Sequence, residues 1–364
     1  MLQGKKFTKE KTLVMKGIGI LFLFIHHLFL SEDTRNGMEV KFLIMSEEGM
    51  LQLAEFSKVC VAIFVFLSAY GMTLSFRKME SDREIPWYVA KRVVSLLSTF
   101  FFVFIITHIL LYLYVGGFAA PYQGNIFRIV MNWFMDGLGI AYFYGMPMLN
   151  ATWWYMPVAF SVILILPLLW KTYKILGFMI IPATLLLPTM TEVPGGYAVQ
   201  YLLAMTMGIC AADLGWLEKI TCQHISNKTI DKAVKLVIYI LCFIVIYELR
   251  VKSKFLPLAD GLMAFCTACF VNEFVADIPI LKQILACIGK YSANIFLTHS
   301  LFILYLWPGA LYSLKYGILI FFTLFVVTLI VAFLLEVLKR VSRYQTLTDK
   351  ILAQIAAFEK GRTT

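Results

Sequence analysis

Lys16-Gly-Ile-Gly-Ile-Leu-Phe-Leu-Phe-Ile-His26-His27 lies within an apolar run, residues 13–31, that contains one lysine and no carboxylate. As an α-helix at about 1.5 Å per residue the run is about 28 Å long, close to the roughly 30 Å hydrocarbon core of a bilayer. It follows Lys5, Lys6, Lys9 and Lys11, like the start of a signal peptide, but Ser31, Glu32 and Asp33 come next with no small-x-small cleavage site. The sequence therefore predicts a retained membrane helix.

The rest of the chain continues in the same manner. Of its 364 residues 60% are hydrophobic and 15% charged, whereas a soluble domain has about a quarter charged residues and about half apolar ones. That balance excludes a soluble enzyme with one anchor, and no polar segment reaches the roughly 100 residues of a separate soluble domain. Apolar runs set against charge breaks give spans near 13–31, 56–76, 92–115, 151–170, 175–191, 197–214, 232–249, 256–275, 291–307 and 316–338. The expected fold is all-α, a polytopic membrane protein with about ten transmembrane helices. Residues 1–340 form the membrane domain and 341–364 a cytoplasmic amphipathic tail, in which Leu347, Ile351, Leu352, Ile355 and Phe358 share one side, as in a helix lying on the inner leaflet. Residues 126–134 read as a short interfacial helix on the outer face, and Gly116, Gly117, Gly195 and Gly196 mark loops.

A net charge of +10 would suit a nucleic-acid binder, but in such a chain the distribution of basic residues matters more than their sum. Twenty-three of the 32 Lys and Arg residues fall in loops on one side; the other side holds Arg35, Lys41, Arg128, Arg250, Lys252, Lys254 and Lys315. This bias puts both termini in the cytoplasm of a cell whose membrane the chain crosses many times. Arg250, Lys252 and Lys254, together in one outer loop, dissent from it. Six of the seven cysteines lie in or beside apolar runs, so no disulfide framework is expected; Cys266 and Cys269, a C-x-x-C inside an apolar helix, read as packing, and no metal is expected.

A charged group at the centre of a membrane helix costs about 2.5–3.5 kcal/mol on insertion scales, so each such residue needs a reason. Lys16 and His27 are eleven residues apart, three turns plus about 20°, which sets them on one helix face about 16 Å apart along the axis. Snorkelling of Lys16 and an interhelical hydrogen bond from His27 would explain each alone; their shared face points to a joint role. His26, turned by about 100°, points elsewhere. His299, on a helix with Ser292, Asn294 and Thr298, agrees with His27 in depth, as does the segment Asn150 to Tyr155; a cavity lined by several spans would accommodate them together. Taken singly, Trp153, Trp154 and Tyr155 read as an interfacial belt and His108 as structural. Lys91 and Arg92 open a helix at the level of Lys16, beside Arg77, Lys78 and Arg83; positive-inside bias explains this cluster, and it would equally seat a phosphate-bearing cofactor. Ser68 lies in Phe64–Gly71, where small residues either let helices approach or line a channel.

In their order and spacing these residues resemble acyltransferase family 3, bacterial integral membrane O-acyltransferases that modify surface polysaccharides and related acceptors. The likeness runs from about residue 12 to about residue 338. The family opens with a basic residue, ten residues and then His, as Lys16 and His27 do; its Phe-Phe-x-x-Ser-Gly-Phe/Tyr is similar to Phe64–Tyr70, with Ala69 for Gly. Its Lys-Arg pair matches Lys91 and Arg92, its Trp-Tyr segment Trp153 to Tyr155, and its Ser-x-x-Ile-Tyr-Leu-x-His stretch Ser292 to His299, with Phe296 for Tyr. Two positions depart: Ser95 stands where a second Arg often follows, and Pro157 to Ser161 lacks the Glu that many members carry.

The resemblance implies acyl-CoA, most often acetyl-CoA, as donor on the cytoplasmic side, and as acceptor a hydroxyl of a surface glycan or lipid-linked sugar. The catalytic pair would be His27 and Lys16. Lys91 and Arg92, with Lys16, would hold the CoA phosphates beside Ser68; Trp153, Trp154, Tyr155, Asn294 and His299 would hold the acceptor. His27 would act as a general base, or as a nucleophile that briefly carries the acyl group. The competing class is a proton-coupled transporter or flippase of a glycan-type substrate. It predicts internal repeats and paired broken helices, and the sequence has neither.

Overall fold

In the computed structural model, which describes residues 4–31, 35, 37–115, 121–190, 198–222, 227–252 and 255–363, the first helix starts where Thr8 Oγ1 accepts from Lys11 N at 3.4 Å, capping a free donor. This helix, α1, runs Lys9–Phe29, and at its far end Arg35 Nη2 donates to Phe29 O at 3.1 Å while Nη1 pairs with Glu47 at 2.5 Å. There follow α2 (Glu47–Phe56), α3 (Cys60–Phe76), α4 (Ile85–Val115), α5 (Ile126–Gly137), α6 (Tyr155–Leu176), α7 (Ile180–Met190), α8 (Leu202–Leu214) and α9 (Trp216–Thr221). The chain continues with α10 (Lys228–Val251), α11 (Leu256–Glu273), α12 (Pro279–Lys290), α13 (Ser292–Leu301), α14 (Pro308–Tyr312), α15 (Gly317–Val341) and α16 (Tyr344–Thr363). Among the described residues there is no strand, only a single bridge between Lys41 and Tyr316. Glu32, Asp33, Gly116, Gly117, Gly195, Gly196 and Lys254 lie outside the described residues.

Among the described residues six helical stretches are long and apolar enough to cross a membrane: Lys9–Phe29, Glu47–Phe76, Asp82–Tyr114, Ala151–Pro188, Leu256–Asp277 and Gly317–Val341. Ten spans were expected. Of the remaining four, 175–191 is met by α7, which continues the 151–188 stretch after a break at Gly177 (φ +56°). Those at 197–214 and 291–307 are shorter helices, and 232–249 falls in α10, which carries Asp231, Lys232, Lys235, Glu248 and Arg250 among its 24 residues. The outer faces show what surrounds the protein. α15 buries Ile320, Leu324, Thr328, Ala332 and Leu335 while exposing Ile318, Phe322, Val326, Ile330, Phe333 and Val337. An apolar face of that extent is stable against lipid and aggregates in water, so this is a multi-pass membrane protein.

The interior is built from α1, α3, α8 and α11. A Cβ on Gly208 of α8 would stand 2.7 Å from Phe66 O, so α8 and α3 meet backbone to backbone. A second cluster, with Phe100, Phe104, Trp153, Phe160, Leu297 and Leu335, joins α4, α6, α13 and α15. The sequence did not reveal α12, which crosses α1 so closely that a Cβ on Gly17 would overlap Leu285 O and one on Gly289 would overlap Leu13 O. Gly289→Ala is therefore expected to force the two backbones apart at a cost of about 1–3 kcal/mol. The midpoint of thermal unfolding in detergent should fall, and an unchanged midpoint would show that the crossing is looser than described.

The described residues near both chain ends lie at one end of the bundle. Lys5 Nζ reaches Asp277 Oδ2 at 2.7 Å and Glu273 O at 2.8 Å, while Lys91, early in α4, pairs with Glu359 of α16 at 2.7 Å. Arg77 to Ala212 O (2.8 Å) and Lys171 to Asp82 (3.4 Å) join the neighbouring helix ends on that side. The tail, longer than its expected apolar stretch, packs on α4 through Ser98 and Thr348 (2.6 Å) and leaves Leu347, Ile351 and Phe358 exposed. The dissenting Arg250 is not a loop charge: it is buried, with Nε 2.7 Å from Asp260 Oδ1 and Nη1 donating to Glu55 O at 2.9 Å.

Candidate active site

Three elements, α1, the segment leading into α6, and α13, pass side by side and line two cavities in succession. The first, about 380 Å³, takes Lys16 and Leu23 from α1, Tyr155, Met156, Ala159 and Ile163 from α6, and Ser292, Ala293, Phe296 and Leu297 from α13. From α3 it takes Cys60, Val61, Phe64 and Ser68, and from α4 Arg92, Ser95, Leu96 and Thr99. The second, about 230 Å³, takes His27 from α1, Ala151, Thr152 and Trp154 from the segment leading into α6, and Ser300 of α13 with Ile303 and Leu304 from the helical turn that follows it. The second cavity thus continues the first along the bundle.

Charge divides the two. Lys16 and Arg92 line the first cavity, and among the described residues neither has a carboxylate partner. The spacing of Arg92, Ser95 and Thr99 on α4 puts these polar groups on one face, which is the sequence signal that could have found Ser95 and Thr99. Lys91 points instead to Glu359 and lines neither cavity.

The second cavity is where His27 lies. Among the described residues its ring nitrogens have no hydrogen-bond partner; its ring stands 4.9 Å from both His26 and His299, centroid to centroid. His26 donates from Nδ1 to Ala54 O at 2.8 Å and so fixes α2 on α1. His299 lines neither cavity: it donates from Nδ1 to Phe296 O at 2.7 Å, and its buried Nε2 has no partner among the described residues. Beside His27, Asn150, Thr152 and Ser300 form a compact network, with Asn150 Nδ2 donating to Ser300 Oγ at 2.7 Å and the two hydroxyls 2.8 Å apart. Thr152 lies within Asn150 to Tyr155 and Ser300 directly follows His299, but no spacing in the sequence marks either hydroxyl.

The consecutive aromatics separate. Trp153 is buried against Phe100 and donates from Nε1 to Leu297 O at 3.0 Å, anchoring α6 to α13; Trp154 faces the second cavity and Tyr155 the first. Asn294 lines neither, since its Nδ2 donates to Glu336 Oε1 (2.7 Å) and Ala332 O while Lys339 donates to its Oδ1 at 3.1 Å, which ties α13 to α15. His108 donates to Phe104 O at 2.9 Å and stacks on Tyr122, away from both cavities. Tyr122 in turn donates to Asp136, which also accepts from Leu149 N at 2.7 Å; burial pushes the Asp136 carboxyl up to about 6. The seven cysteines are free thiols, and among the described residues no group of three or more His, Cys, Asp or Glu could hold a metal ion.

A family model described as an acyltransferase domain matches residues 14–337, nearly the whole chain and both cavities. The chain belongs to acyltransferase family 3. No curated protein and no solved structure matches it. Membership makes the chain an acyltransferase working within a membrane.

Proposed function

We propose that this acyltransferase moves an acyl group, acetyl first among them, from acyl-CoA on the cytoplasmic side of the cell membrane to a hydroxyl of a cell-surface or exported polysaccharide or a lipid-linked sugar. The observation that carries the reading is the succession of cavities along α1, α6 and α13, with two cations that have no carboxylate partner among the described residues in one and His27 in the next. A donor bearing phosphates and a flexible arm fits that order: Arg92 and Lys16 neutralise the phosphates, and the thioester reaches past Tyr155 and Phe296 towards His27. The acceptor enters the second cavity against Trp154, Thr152 and Ser300. His27 takes the hydroxyl proton as the oxygen bonds to the thioester carbon; the carbon–sulfur bond breaks, and the proton goes to the departing thiolate. Attack by His27 itself, giving an acyl-imidazole that the acceptor then cleaves, uses the same arrangement.

Arg92→Ala is expected to raise KM for acyl-CoA about tenfold or more, the loss of one charge-assisted contact, with a smaller effect on kcat. Lys91→Ala should do less, because its ammonium is engaged by Glu359. Equal effects of the two variants would remove Arg92 from its special place. The test of the function itself is CoA release by the purified protein in nanodiscs, combined with mass spectrometry of surface glycans from cells with and without it. A lost acyl mass names the group transferred; a glycan moved across the membrane with no CoA released would instead show a transporter.

A further inference from the structure

Lys58 stands on the turn between α2 and α3 with Nζ over the Trp154 ring, 5.8 Å from its centroid. Trp154 walls the cavity of His27, and the same ammonium is near enough to His26 and His27 to act on both electrostatically. Among the described residues Lys58 has no carboxylate partner. Asp260, which feels its charge, is held by Arg250 at 2.7 Å. The cavity contributes no counter-charge either, being lined by hydroxyls, apolar side chains, an indole and an imidazole. A half-buried cation gives up part of its hydration, and with no protein anion beside it the loss is best offset by an anion on the substrate.

We propose that Lys58 makes the enzyme select acceptors that carry an anionic group, carboxylate or phosphate, about one sugar ring from the hydroxyl deprotonated at His27. The inference rests on the acyl-transfer reading above. Trp154 offers its face to the sugar, and the charged substituent projects towards the ammonium that stands over the same ring. Because Lys58 does not line the cavity, it meets a substituent of the acceptor that extends past Trp154 and not the thioester carbonyl. Its role is therefore in specificity.

The experiment uses the full-length protein in nanodiscs with acetyl-CoA and three probes, methyl β-D-glucuronide, glucose 1-phosphate and methyl β-D-glucoside, with O-acetylated product read by mass spectrometry. For the wild type, KM for at least one anionic probe should lie about tenfold below that for the glucoside. Which probe gains tells carboxylate from phosphate. Lys58→Gln should remove the difference while leaving KM for acetyl-CoA unchanged, and Lys58→Arg should keep it. Transfer without any anionic advantage, or an anionic advantage that survives in Lys58→Gln, overturns this proposal alone. No transfer by the wild type to any probe overturns the acyl-transfer reading on these acceptors as well.

Discussion

His27→Ala is expected to lower acyl transfer by about 10²- to 10⁴-fold, the range for loss of a positioned general acid–base group, with the thermal unfolding midpoint little changed. The size follows from how few alternatives the second cavity holds. Thr152 and Ser300 are hydroxyls tied to Asn150, Trp154 is an indole, and no carboxylate lines the space. His26 cannot substitute, because its Nδ1–H is committed to Ala54 O and that bond holds α2 in place. Among the described residues His27 is the group with an imidazole facing the cavity and no hydrogen bond to break, so its removal takes away the proposed proton acceptor without a structural tie. The check is the rate of CoA thiol appearance with acceptor present, run beside a thermal melt of the same preparation. A variant that transfers at the wild-type rate would move the chemistry away from α1.

How much of this was legible in the sequence follows the physics of each signal. Helices such as α1 and α15 were readable because lipid demands long apolar runs, and their boundaries fell within a few residues of those expected. Twelve-residue α12 was not, because Lys282 and Lys290 at its edges read as loop charge; Pro279 at its first turn was the available hint. The expectation that Lys16 and His27 share a face of α1 needs only helical periodicity, while their placement in two successive cavities does not follow from it. Separating Trp153 from Trp154, or Lys91 from Arg92, needed the third dimension, since adjacent residues on a helix point about 100° apart and periodicity alone does not say which direction is a cavity. The dissent of Arg250 from the charge rule had the same origin: loop counting treats every arginine as solvated, and this one is buried.

That burial sets the largest stability effect. Arg250 joins three elements, with Nε on Asp260 of α11 at 2.7 Å, Nη1 on the carbonyl of Glu55 at the end of α2, and its own backbone in α10. Arg250 and Asp260 are 3% and 1% exposed, so removal of one partner leaves the other charged group without compensation in a medium that solvates it poorly. Arg250→Met is expected to cost about 3–5 kcal/mol, seen as a lowered unfolding midpoint and reduced yield of folded protein from membranes. The double variant Arg250→Met, Asp260→Leu should recover much of that loss, because a buried pair exchanged for apolar groups of similar volume is often near neutral, whereas a broken pair is not. Recovery would be incomplete, since the Glu55 carbonyl loses its donor in both variants. A double variant as unstable as the single one would show that the contact with Glu55, and not the ion pair, is what holds α10 against α2 and α11.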